Sequence, residues 1–198
     1  MNIQSMSSPR FYHCVRLILA LVLFVGLTAS QEVNWEVMVN GPSDFTCSDI
    51  GKGLCTDLQG RIFANGQVSS NDPSGSDLGV ICLNPNGSQE WFYTYDSGDF
   101  DMGYGIVTDN DGNVYVAAST EPSGSSGFSI LSMDPMGEFR WIYTYNPGWD
   151  MDFAHAITVG PDGNIYASGN CTLDSWRLHR CCDYQRHAGR CRALGVST

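Results

Sequence analysis

Three aspartates, Asp49, Asp101 and Asp152, stand 52 and 51 residues apart, and each opens the same phrase, D-[IMF]-[GA]-x-[GA]-[IL]. Carboxylates gathered from separate stretches of chain could hold a hard cation, and Ca²⁺ is the cofactor such an oxygen cluster would take. The same carboxylates could instead accept backbone N–H groups in their own loops and lock the entry to the element that follows. Repetition favours the second use, because a structural task recurs in every copy whereas a site shows as a departure from the repeat. Asp49, Asp101 and Asp152 are thus candidate metal ligands, with a structural role expected ahead of it. Departures do exist. Lys52, Tyr104 and His155 occupy one position of the phrase and share no chemistry. His155 is the only histidine in residues 31–170 and could serve as a ligand or general base. No motif places a nucleophile or carboxylate beside it, so a half-buried strand residue is the expectation. Asp109-Asn-Asp-Gly-Asn is similar to the opening of a helix-loop-helix calcium loop but lacks its later acidic ligands, and a tight turn is expected there. The chain contains no Gly-x-Ser-x-Gly, His-Glu-x-x-His or phosphate-loop motif.

The elements that position these residues repeat with them. Gly60, Gly112 and Gly163 keep the same intervals as the aspartates, and Trp91 and Trp141, 50 apart, each open W-x-Y-T-Y. A fixed period of this length marks one supersecondary unit copied along the chain. In the copy from Asp101 to Tyr145, four short apolar stretches are expected as strands: Gly105–Thr108, Asn113–Ala118, Gly127–Met133 and Glu138–Tyr145. The third alternates Phe128, Ile130 and Ser132 against Ser129, Leu131 and Met133. Asp109–Asn113 and Asp134–Gly137 read as hairpin turns. No stretch of the unit has a helical period, so the fold class is all-β.

The pattern D-x-[GA]-x-[GA]-I-x-x-x-x-x-G-N-[VI]-Y, then F-S-I, then D-P-x-G-x-x-x-W, resembles bacterial β-propeller repeats of the SBBP type. The turns N-P-N-G-S-Q-E-W (84–91) and D-P-M-G-E-F-R-W (134–141) are similar to the tryptophan-docking motif of quinoprotein-like propellers. The resemblance covers Trp35 to about Asn170 and implies four-stranded blades, with the Trp of one blade packed against the next. It implies architecture rather than activity, since propellers host many functions.

Along the chain, residues 1–30 read as a secretory signal peptide, with Arg10 and Arg16 before the apolar run Leu17–Leu27 and small residues after it. No other segment is apolar enough to span a bilayer. Residues 31–48 supply a lone strand around Trp35, residues 49–98 and 99–150 are units near full length, and 151–170 begin a third. Residues 171–198 change character, with five Arg and four Cys and no strand alternation, a basic Cys-rich tail that suggests a frame change. Counted this way the chain has fewer than three blades, an incomplete propeller. A closed ring needs roughly four to eight. A fragment of a longer protein is favoured, with self-assembly and an open stack as the other readings.

Residues 31–170 carry 19 acidic residues against three basic ones, Lys52, Arg61 and Arg140, which argues against nucleic acid or anionic membranes as partners. An unknown protein or glycan is the partner class left open. Cys55 and Cys82 fall on first and third strands, about 9.5 Å apart and beyond disulfide reach. Cys47 with Cys55 is the more plausible pair, and a zinc site in the tail is not expected. The functional expectation is a secreted, cell-surface or periplasmic β-propeller repeat protein that is non-catalytic, a binding or structural module whose contact surface is the loops Ser69–Asp77 and Glu121–Gly127. The alternative is a fragment of a propeller enzyme, such as a quinoprotein-like dehydrogenase or a lyase, which would need a cofactor cluster on further blades.

Overall fold

The computed structural model describes residues 49–69, 75–122, 124–146, 152–171, 180–187 and 190–195, with side chains up to Asn170. The expected signal peptide, the lone strand around Trp35 and Cys47 lie outside the described residues.

All described elements are strands. The first sheet is β1 (Ile50–Thr56), β2 (Ile62–Ser69), β3 (Ser76–Leu83) and β4 (Gln89–Tyr95). The second is β5 (Met102–Thr108), β6 (Val114–Thr120), β7 (Gly127–Met133) and β8 (Phe139–Tyr145). The third begins with β9 (Phe153–Val159) and β10 (Ile165–Cys171) and continues through β11 (Arg180–His187) and β12 (Arg190–Gly195). Each sheet is antiparallel and its strands lie in chain order. The all-β expectation therefore holds, with strands at the places within the described residues where the 50-residue pattern put them.

The described backbone of the tail continues the third sheet. Where the side-chain pattern stops at residue 170, backbone pairing does not: β11 adds to β10 from Tyr166↔Gln185 to Cys171↔Arg180, and β12 adds to β11. A sheet edge offers unpaired N–H and C=O groups to any extended partner, so pairing there does not need the repeat's side chains.

Alternation along each strand builds three hydrophobic clusters among the described residues, one of them on the outer face of the first sheet (Ile62, Ala64, Ile81, Leu83), and the other two make the second sheet the middle layer. Val114, Val116, Leu131 and Met133 face the first sheet, where they meet Phe63, Leu78, Val80 and Cys82. The opposite face carries Ala117, Phe128 and Ile130 to the third sheet's Ala154 and Ala167. β7 is consequently buried along its whole length on both faces. The fourth strands repeat one arrangement: Trp91, Tyr93 and Tyr95 cover the first core, and Trp141, Tyr143 and Tyr145 cover the second. The first strands β1, β5 and β9 run beside one another, and Thr108 of β5 donates its hydroxyl to the Thr56 carbonyl of β1 at 3.3 Å.

Five hairpin turns use one device. A glycine at positive φ (Gly60, Gly87, Gly112, Gly137 and Gly163, φ 73 to 85) donates its N–H to the carbonyl three residues earlier. In three of these turns the residue opening the turn is aspartate, and its Oδ1 accepts the N–H groups two and four residues on: Asp57 from Gln59 and Arg61, Asp109 from Asp111 and Asn113, Asp134 from Met136 and Glu138. The second oxygen of Asp109 takes Asn113 Nδ2 and the Tyr115 hydroxyl, both at 2.8 Å. Asp162 does the same with Asn164 and Tyr166. The first unit has Arg61 and Phe63 at these places, and Arg61 Nε reaches Asp57 Oδ2 at 2.7 Å instead. What reads in sequence as drift from Asn-x-Tyr to Arg-x-Phe is a compensated exchange that keeps the carboxylate satisfied.

Candidate functional site

The three repeated aspartates each precede a first strand and are buried. Asp49 accepts the Ser69 N–H at 2.9 Å and the Ser69 hydroxyl at 3.2 Å, which ties the start of β1 to the end of β2. Asp101 accepts the Ser97 N–H (2.6 Å), the Ser97 hydroxyl (2.7 Å) and the Glu121 N–H (3.3 Å). Its own N–H goes to the Ser76 carbonyl at 2.7 Å, joining the first sheet to the second. Burial lifts the Asp101 carboxyl to about 6, outweighing those three donors. Asp152 is fully buried, and its carbonyl takes the Ser119 hydroxyl at 3.1 Å. Asp49 and Asp101 thus spend oxygens on their own loops. Among the described residues no three His, Cys, Asp or Glu side chains stand together as a metal-binding group. The Asp109 loop is the expected turn, with its carboxylate held below the ordinary range by hydrogen bonds from Asn113 and Tyr115 that outweigh partial burial.

The loops expected to form a contact surface are partly built into the fold. Ser76 and Asp77 are buried, as are Ser126 and Gly127, and Ser76 bridges to Phe100. Residues 70–74 and 123 fall outside the described residues.

The residues that differ between copies sit together. In the first strand of each sheet the register slips by one residue: between Gly51 and Gly53, between Gly103 and Gly105, and opposite Ser168 and Gly169 between Ala154 and Ala156. The extra residues of these β-bulges are Lys52, Tyr104 and His155. A bulge adds one residue, re-aims its side chain and often lies beside a functional site. The repeated [GA]-x-[GA] is the steric requirement of the bulge. A β-carbon on Gly53 would lie 2.7 Å from the Tyr104 carbonyl, and one on Gly105 would lie 3.1 Å from the His155 carbonyl. Each small residue lets the next bulge close in. Asn65 of β2 fills the space behind: its Oδ1 occupies the room a β-carbon on Gly53 would need, its Nδ2 the room one on Gly103 would need, and Nδ2 donates to the Gly105 carbonyl at 3.4 Å.

Tyr104 meets His155 edge-on with ring centres 5.0 Å apart, and meets Phe153 edge-on at 5.9 Å. Phe153 and His155 stack at 5.9 Å. His155 is exposed rather than half-buried as expected, because the bulge turns it out of the sheet, and its Nε2 lies 2.6 Å from Asn170 Oδ1. Partial burial raises the Tyr104 phenol, which stays protonated at neutral pH. The sequence placed Lys52, Tyr104 and His155 at one position of the repeat. It did not yield Phe153, Asn170 or the bulge, though the paired small residues around each were a usable signal.

Cys55 and Cys82 are free thiols, and Cys47, the expected partner of Cys55, lies outside the described residues. Cys55 and Cys82 both pair with Phe63, on its two sides, which separates them by two strand spacings. The Cys55 side chain packs on the first core rather than outward. Burial pushes both thiols up to about 12.

A second cluster joins the first two sheets. Trp91 Nε1 donates to the Pro135 carbonyl at 3.3 Å, and Arg61 Nη1 donates to the same oxygen at 2.9 Å. The indole lies against Gly137, where a β-carbon would come within 2.7 Å of Cδ2. Compared with known proteins, the chain matches no family model and no curated protein sequence.

Proposed function

We propose that this chain is a secreted, non-catalytic repeat protein whose four-stranded sheets are blades of a β-propeller-type stack, acting outside the cytoplasm as a binding or structural module. One observation carries the reading: Trp91, from the fourth strand of one sheet, docks on the Pro135–Gly137 turn of the next. That contact makes successive copies extend one another in a fixed direction, as a scaffold of repeats requires. The first strands running side by side support the same arrangement, because they form a continuous row from sheet to sheet. The chemistry of the described groups supports a binding rather than a catalytic role. Aspartate oxygens accept their own loops' N–H groups, and the two thiols are held protonated by burial, far from the thiolate a nucleophile needs.

Expression with the leader should release protein into the medium or periplasm. The purified protein should show no quinone absorption band and no dye reduction on addition of quinone and Ca²⁺. Retention in the cytoplasm overturns the export reading, and a quinone band or quinone-dependent turnover overturns the non-catalytic one in favour of a quinoprotein-like fragment.

A further inference from the structure

The row of bulge residues has a chemistry of its own. The repeat fixes its backbone and leaves its side chains free to differ, so selection for a ligand can act there without disturbing the fold. The flanking small residues interlock from strand to strand, which holds the three bulges in a set relation before any ligand arrives.

Charge singles out one of the three. Of the basic side chains described between residues 49 and 170, Arg61 is committed to Asp57, Glu90 and the Pro135 carbonyl. Arg140 lies against the Tyr115 and Ser132 hydroxyls. Lys52 is exposed and makes no hydrogen bond or ion pair among the described residues. Among the described side chains, the acidic body therefore presents in the bulge row a lysine with no hydrogen bond or ion pair. The same net charge repels polyanions, which restricts the fit to a ligand bearing one or a few carboxylates. Beside Lys52 in the row, the partly exposed Tyr104 and Phe153 rings and the exposed His155 offer an aromatic surface with polar edges. Such a surface suits the alternating C–H faces and hydroxyl edges of a sugar ring. The His155–Asn170 pair is fixed at 2.6 Å and supplies hydrogen-bonding groups at the far end.

We propose that Lys52, Tyr104 and His155, with Phe153 and Asn170, form a binding site for short acidic saccharides of the uronate type. Lys52 pairs with a carboxylate, the aromatic cluster carries the sugar face, and His155 and Asn170 bond hydroxyls. This deepens the binding-module reading above and rests on it.

The test is calorimetric titration of the full chain with trigalacturonate, its methyl ester and maltotriose. Trigalacturonate should bind. Esterification and Lys52→Gln should each weaken binding about fivefold, the worth of one exposed ion pair, and together should weaken it no further. Tyr104→Ala should weaken it about tenfold through loss of the stacking face, with Tyr104→Phe retaining most of the affinity and circular dichroism confirming the fold of each variant. No heat with any of the three sugars, equal affinity for acid and ester, or an unchanged affinity in Lys52→Gln overturns the proposal. Secretion and the contact between Trp91 and Gly137 are measured separately, so a protein that passes both and binds none of the sugars refutes this inference alone.

Discussion

Gly137→Ala tests the joint between the first two sheets in a single atom. Gly137 closes the β7–β8 turn at φ 85. A residue with a β-carbon loses about 1–2 kcal/mol in that left-handed conformation. The new carbon would also stand 2.7 Å from Trp91 Cδ2 and 3.0 Å from Cε3 and Cγ. Neither side yields freely. The turn is held by the Gly137 N–H on the Asp134 carbonyl at 3.1 Å and by the Asp134 carboxylate, and the indole by its bond to Pro135 and its packing on the first core. Overpacking of this kind costs about 1–3 kcal/mol, for a total of about 2–5 kcal/mol. Gly163→Ala is the internal control, with φ 73 and nothing within 4 Å of the added carbon, so it should lose only the conformational part. Urea unfolding followed by circular dichroism measures both. Gly137→Ala should lose at least about 1 kcal/mol more than Gly163→Ala, and Trp91→Ala should abolish that excess in a double-mutant cycle. Equal losses at the two glycines, or strict additivity with Trp91→Ala, refute the docking argument.

Three further outcomes follow from the described contacts. Arg61→Ala should destabilise by about 1–3 kcal/mol by leaving Asp57 Oδ2 without its partner, and Arg61→Asn combined with Phe63→Tyr should recover part of it by restoring the arrangement of the other two units. Chemical denaturation that shows no recovery would contradict the compensated exchange. Asp101 is raised to about 6 by burial. Because the native state then holds its proton over a window where the unfolded chain has released it, the Asp101 contribution to stability falls as pH rises from about 4 to 6 and is flat above. Urea midpoints of wild type and Asp101→Asn should diverge in favour of Asn across that window, and parallel curves would sink the assignment. Cys55 and Cys82, pushed up to about 12, should resist alkylation at about pH 8 in the folded protein and react in urea, as read by peptide mapping. The same shift makes their contribution to stability fall as pH climbs from about 9 toward 12, since only the unfolded thiols ionise there. Alkylation of either peptide under native conditions would count against the burial of both.

The periodicity of the chain determined its strands. Alternation at Phe128–Met133 and the turn residues at Asp109–Asn113 and Asp134–Gly137 are local signals, and local signals survive in a linear sequence. They also marked Lys52, Tyr104 and His155 as the positions where copies disagree. Other features depended on how separate copies meet. The sequence contains Trp91 and Gly137 but not the contact between them, because their separation of 46 residues is bridged only by sheet-on-sheet packing. The [GA]-x-[GA] phrase was visible without its cause, which is the close approach of the next strand's bulge. Arg61 and Phe63 looked like decay until the structure put Arg61 on the Asp57 carboxylate and over the Phe63 ring. In the tail the sequence pattern breaks, yet β11 and β12 pair, because strand pairing belongs to the backbone and needs only an open edge. Side-chain pattern decides which face a strand buries, and only the assembled sheets decide which residues of different copies touch.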